Sequence, residues 1–219
     1  MVDLIFNNDI TWTVLQVLFW SFFALPLIWA ALQAAGSSAA AARLDGLLDW
    51  ASWVILTKNK MLGTVALWAA LALVLVQIAV VILRYVFRIG LIELQELILY
   101  LHASLFMLAS GFALLREAHV RVDIFYRAAP AVWKAAVNLA GVYLLLMPSM
   151  ALLFYVAWPY VGASWEIFEG SKETSGLPVY PLKSMILVFA VSVMLQGWVL
   201  AVDSLRGHAP EAPHQGERP

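Results

Sequence analysis

Charge along this chain is confined to the gaps between five long apolar stretches. Ile10–Ala42, Met61–Leu83, Leu97–Leu115, Ala135–Trp165 and Ser184–Val202 contain no Asp, Glu, Lys or Arg. A helix rises about 1.5 Å per residue, so roughly 20 residues cross a hydrocarbon core about 30 Å thick, and every stretch is long enough. None alternates apolar and polar positions as the strands of a membrane barrel do. Backbone groups surrounded by lipid have to bond within their own segment, so each stretch is expected to be a helix. The pattern predicts an all-α integral membrane protein with five transmembrane helices.

The gaps carry structure of their own. Over Arg43–Thr57, Leu44, Leu47, Leu48, Ala51, Val54 and Ile55 recur at helical spacing, while Arg43, Asp45, Asp49 and Ser52 take the other face. With Trp50 and Trp53 aboard, this predicts an amphipathic helix lying in the membrane interface before Lys58 and Lys60. The first span is expected over Thr11–Ala35, with Pro26 as a kink site. Its acidic start (Asp3, Asp9) and lack of any Lys or Arg before Arg43 do not fit a cleavable leader. The fourth stretch holds Pro148 and is too long for one straight span, so Trp158-Pro159-Tyr160 is expected to emerge at the headgroups. A polar hairpin over Glu166–Lys183 then precedes the fifth span, and the Pro-rich tail is expected to be disordered. The resulting division is an added helix (1–42), an interfacial helix (43–58), a four-span unit (59–205) and a tail (206–219).

Basic residues orient the chain. Arg43, Lys58, Lys60, Arg116, Arg121, Arg127, Lys134, Arg206 and Arg218 gather on one side, and only Arg84, Arg88, Lys172 and Lys183 on the other. The positive-inside rule puts the larger set in the cytoplasm of a bacterial inner-membrane protein, with the N-terminus periplasmic and the C-terminus cytoplasmic.

Composition narrows the chemistry. The chain is 63% hydrophobic and 12% charged, against about 25% charged in soluble domains, and its net charge of −1 offers nothing to nucleic acid. Cysteine is absent, which removes disulfides, thiolate metal sites and cysteine nucleophiles. No Gly-rich phosphate loop, HExxH or catalytic triad order occurs, so no catalytic residue, cofactor or metal ligand is assigned. His102 is the one histidine inside a span; lacking a second at similar depth for haem, it is expected to hydrogen-bond a neighbouring helix. Gln77, Asn138 and Gln196 are intramembrane amides suited to helix–helix bonding. Glu93 and Glu96 open the third helix, where negative charge suits the N-terminus, with Arg84 and Arg88 just before them. Two readings follow from the residues: a solvated, self-neutralising turn, or a register-fixing dock for a second membrane subunit. The outer loop Ser164–Pro181 is polar enough to contact something outside the membrane.

These residues also carry a resemblance. A span ending in Arg84–Phe87 (RYVF), paired acids at Glu93 and Glu96, a further span, then Arg116–Tyr126 (REAHVRVDIFY), Ser175–Lys183 (SGLPVYPLK) and Gln196-Gly197 resemble, in order and spacing, the small membrane subunit of tripartite ATP-independent periplasmic (TRAP) transporters. The likeness spans Asn59–Leu205 and is nearest the mannitol/chloroaromatic branch. It implies a non-catalytic scaffold paired with a large permease subunit, which holds the sodium sites and moves an organic acid delivered by a periplasmic binding protein. It further implies docking or structural roles for Glu93, Glu96, His119, Asp123 and Lys183. The first span and the amphipathic segment are additions to the usual four-span plan. A membrane anchor of a respiratory oxidoreductase is the alternative from another class, and a haem absorption band would mark it.

Overall fold

The computed structural model describes residues 9–116, 130–173 and 176–207; His119, Asp123 and the tail beyond Gly207 lie outside them. Helix α1 covers Asp9–Ala34, α2 Ser38–Tyr85, α3 Ile92–Leu115 and α4 Ala131–Ala140. A π-helical segment, Gly141–Leu146, joins α4 to α5, Met147–Glu166. Helix α6 runs over Tyr180–Leu205. Four helical stretches are long and apolar enough to cross a membrane, and the described part of α1 adds a shorter apolar helix. The protein is an all-α, multi-pass membrane protein.

The turn after α1 is set by one residue. Gly36 takes φ +76°, a left-handed conformation that costs other residues a Cβ clash, and so lets two free carbonyls be capped. Its N–H donates to the Gln33 carbonyl at 3.1 Å and that of Ser37 to the Leu32 carbonyl at 3.1 Å. The chain reverses there and α2 runs back beside α1.

Where two helices were expected around Lys58, the structure has one. The amphipathic segment and the second apolar stretch are fused into the 48 residues of α2. Nothing between Ala42 and Met61 breaks a helix except Gly46, and Lys58-Asn59-Lys60 continues it readily. The buried face is also turned from the expected one. Ala41, Leu48, Ile55, Asn59, Gly63 and Ala66 form a single stripe at spacings of seven, four and three, while Leu47 and Val54 are exposed. Ser52, assigned to the polar side, has its hydroxyl buried. Trp50 and Trp53 point outward, 66% and 65% exposed, as interfacial tryptophans do.

Helix α6 is the central post. More than half of its apolar window is buried within the chain, against 6% for α2. All the other helices touch it. Gly197 lets Leu146 of the π segment approach so closely that a Cβ would sit 2.7 Å from its methyl group. The π segment lies directly before Pro148, whose missing N–H interrupts the α-type ladder at that turn. The long fourth stretch thus bends by a change of helix type, and the helix continues through Trp158-Pro159-Tyr160 to Glu166.

Candidate functional site

Three polar constellations surround α6, and they differ in depth. The deepest joins α2, α3 and α6. Asn59 Nδ2 donates to Gln196 Oε1 at 2.8 Å, and Ser192 Oγ donates to Asn59 Oδ1 at 2.8 Å. All three residues are buried. Gly111 of α3 closes the site, since a Cβ there would lie 2.3 Å from Ser192 Oγ and 3.1 Å from Asn59 Oδ1. The network is neutral, and its amide and hydroxyl groups bond one another. Gln196 was legible as an intramembrane amide. Asn59 was not, because it stands between two lysines and reads as part of a polar boundary.

A second constellation docks α1. Pro26 has no N–H, so the carbonyl of Phe22, four residues before it, loses its helical donor. Trp198 Nε1 supplies the bond at 2.9 Å, and the Phe22 and Trp198 rings stack 4.8 Å apart. One residue further along, the Tyr143 hydroxyl donates to the Phe23 carbonyl at 2.9 Å. Tyr143 is presented by the π segment. The sequence signal was present in outline: a proline inside a buried helix predicts an orphan carbonyl, and a tryptophan within reach can fill it. Lower down, Arg206 at the end of α6 bridges Asp49 (2.5 Å) and Asp45 (2.9 Å) of α2 and lies 5.7 Å from the centre of the Trp29 ring. Asn138 Nδ2, one of the amides singled out earlier, donates to Ser204 Oγ at 3.3 Å within the chain.

The third constellation is the polar hairpin after α5. Val179 N donates to the Glu169 carbonyl at 2.8 Å and Ser171 N to the Leu177 carbonyl at 2.7 Å, closing a bridge between Gly170 and Pro178. The hairpin folds onto the helices beneath it. Lys183 ion-pairs with Glu169 and lies 4.2 Å from the centre of the Tyr160 ring. Ser164 Oγ donates to the same Glu169 carboxylate at 2.7 Å. Ser171 Oγ donates to Glu96 at 2.8 Å, and the Tyr100 hydroxyl to the Leu177 carbonyl at 3.3 Å. Hydrogen bonds from Lys183 and Ser164 hold the Glu169 carboxyl below the usual carboxylate range.

The site residues named from sequence thus separate. Glu96 and Lys183 join one assembly through the hairpin, each facing a hairpin side chain. Glu93 is exposed in the first turn of α3. Arg84 and Arg88 are exposed and form no ion pair with the described residues. His102 does not bond a neighbouring helix of this chain as expected: it is exposed and has no hydrogen bond to a described residue. The reason is its register. Glu96, Tyr100 and Gly111 face the hairpin and α6, which leaves His102 on the outer side of α3. Gln77 is likewise exposed, beside half-buried Leu73 and Val80 at the rim of the α2–α3 contact.

The organisation is that of a packing unit with charges at its ends and neutral polar contacts within. A family model described as "Tripartite ATP-independent periplasmic transporters, DctQ component" matches residues 73–207. No curated protein and no solved structure matches the chain. The matched region runs from the span portion of α2 through the end of α6 and takes in Glu96, Lys183, Gln196 and Trp198. With more than half of its length so matched, the chain belongs to the family of DctQ components of tripartite ATP-independent periplasmic transporters.

Proposed function

We propose that this chain is the immobile scaffold subunit of a TRAP-type importer. It pairs with a large permease subunit that moves an organic acid or related solute by sodium coupling, and a periplasmic binding protein delivers that solute. One observation carries the reading: the buried polar side chains at the middle of α6 pair within the chain. Asn59, Ser192 and Gln196 close on themselves, and Trp198 and Tyr143 fill backbone carbonyls. Groups committed in this way hold helices together; they are not arranged as a path for an ion or a solute. Reconstitution tests this directly. Sodium-driven uptake into liposomes is expected only when this chain, the large subunit and the binding protein are all present. Uptake by this chain alone would overturn it.

The proposed topology has the N-terminus in the periplasm and the C-terminus in the cytoplasm. The direction of α1 supports it. Phe22 meets Trp198 while Trp29, further along, meets Arg206, so α1 runs parallel to α6. A C-terminal reporter that works only in the periplasm is expected to stay silent, and strong activity would reverse the assignment.

A further inference from the structure

A π turn gives up the regular α-type hydrogen bonds, so the segment Gly141–Leu146 has to be held open by something outside itself. Pro148 allows the break but does not select it. Pro26 in α1 and Pro159 in α5 stand inside helices that stay α-helical around them. The burial pattern shows what the wide turn gains. Leu139, Tyr143, Met147 and Ala151 are buried or half-buried at steps of four, and all pack in one apolar cluster with Trp198 of α6 and Phe23 of α1. Each such step runs about 40° past a full turn of an α-helix, so three would carry the stripe about 120° round. A wider turn in the middle takes up that drift.

Two contacts secure the segment, and they fix different things. Leu146, seated against Gly197, adjoins α5 and would hardly move if the turn closed. Tyr143 lies three residues earlier and would swing round the axis. Its hydroxyl donates to the Phe23 carbonyl at 2.9 Å, and the Phe23 side chain, 5% exposed, shares the cluster with Val142 and Met147. Helix α1 is therefore the neighbour that distinguishes the π turn from an α turn.

We propose that α1 sets the helical register of α4. With α1 docked, Tyr143 keeps the π turn; with α1 released, the turn rewinds to α and gives up its extra residue. Each residue of α4 then takes the place of the one before it, and α4 turns by about 100°. Leu139 would face Ser204, to which Asn138 now donates at 3.3 Å. The outward face of α4, with Val132, Trp133 and Val137 exposed, would turn with it. The added first helix thus controls a surface to which it contributes no side chain.

The absence of cysteine lets the register be read directly in the full chain. Two double variants, Asn138→Cys/Ser204→Cys and Leu139→Cys/Ser204→Cys, are treated in membranes with a short bis-methanethiosulfonate reagent, and mass spectrometry gives the bridged fraction of each. The first is expected to bridge in preference to the second. Tyr143→Phe, which keeps the ring, should lower the ratio of first to second about threefold, the equilibrium equivalent of one intramembrane hydrogen bond. Adding Phe23→Ala should bring the fall to at least about fivefold. Deleting exposed Leu145 removes the extra residue beforehand, and the ratio should then stay high with or without these substitutions. A ratio unmoved by Tyr143→Phe, or moved equally after the deletion, overturns the proposal. So does a first pair that fails to bridge in the otherwise unaltered chain. Where the combined substitutions abolish both bridges, Tyr143→Phe alone decides.

Discussion

The middle of α6 is held by neutral groups that the fold buries: Asn59 to Gln196 and Ser192, and Trp198 to the carbonyl that Pro26 leaves open. Its N-terminal end is held by Lys183 on Glu169, with side chains still 13% and 28% exposed, and by the hairpin that Glu96 anchors. The difference follows from solvation. A buried charge has to recover its lost hydration from its partner, whereas amide and hydroxyl groups need only complete their hydrogen bonds. At the boundary, headgroups and water keep an ion pair solvated, and its strength then depends on pH and salt. The contacts at the middle of α6 set the fold and those at its N-terminal end set the hairpin.

The sharpest way to break the contacts at the middle of α6 is to add a side chain at Gly111. Gly111→Val places methyl groups where Ser192 Oγ and Asn59 Oδ1 already stand, within 2.3 and 3.1 Å of the first added carbon. Overpacking combined with loss of the network is expected to cost about 3 kcal/mol. Thermal unfolding in detergent should show the drop, and a midpoint matching that of the unaltered protein would mean that the three helices do not meet as described. Asn59→Leu should come next, at roughly 2 kcal/mol, because it strands both the Gln196 carbonyl oxygen and the Ser192 hydroxyl. Replacing all three members by apolar residues should cost less than the single change, since no polar group is then left unpaired.

The α1 dock offers a test by rescue. Trp198→Phe keeps the ring on Phe22 but removes the donor, and the orphan carbonyl should cost about 1 kcal/mol. Pro26→Ala returns a backbone N–H at that position of the helix. In the Trp198→Phe background it should therefore recover stability, and a double-mutant cycle reads the coupling. Additive effects would show that Pro26 and Trp198 are independent.

What the sequence disclosed is tied to periodicity. The apolar stretches, the break at Pro148 and the polar hairpin are one-dimensional signals, and each has its counterpart in the structure. The fusion of Arg43–Thr57 into α2 was hidden, because lysines at positions 58 and 60 read as a membrane boundary yet are good helix formers. The rotation of its buried face was hidden for a related reason. Asp45 reads as a polar-side residue, but the neighbour that accommodates it is Arg206 at the end of α6, which no local pattern locates. Glu169, the carboxylate on which the hairpin clamp turns, was legible only as one of several loop acids. Its partner Lys183 stood out, but the hairpin fold that joins them is tertiary.

The hairpin clamp should yield the smallest effect and the one most dependent on conditions. Glu169 titrates below its ordinary value of 4.5 because Lys183 and Ser164 bond its charged form. A carboxyl whose folded pKa is depressed contributes stability above its unfolded value and loses it as pH falls through the folded one. The hairpin from Glu169 to Val179 should therefore stay closed at neutral pH and begin to open below about pH 4.5. Amide hydrogen exchange of Ser171 and Val179, corrected for intrinsic rates, measures this, since both N–H groups close the bridge. Glu169→Gln should open the hairpin partly at neutral pH and flatten its acid response, and Lys183→Met should do the same. The Asn59 network contains no titrating group, so its protection should not change over that pH range. Equal acid sensitivity of the hairpin and of the Asn59 network would dissolve the contrast between them, and a hairpin indifferent to pH would mean that Tyr100, rather than Lys183, holds it down.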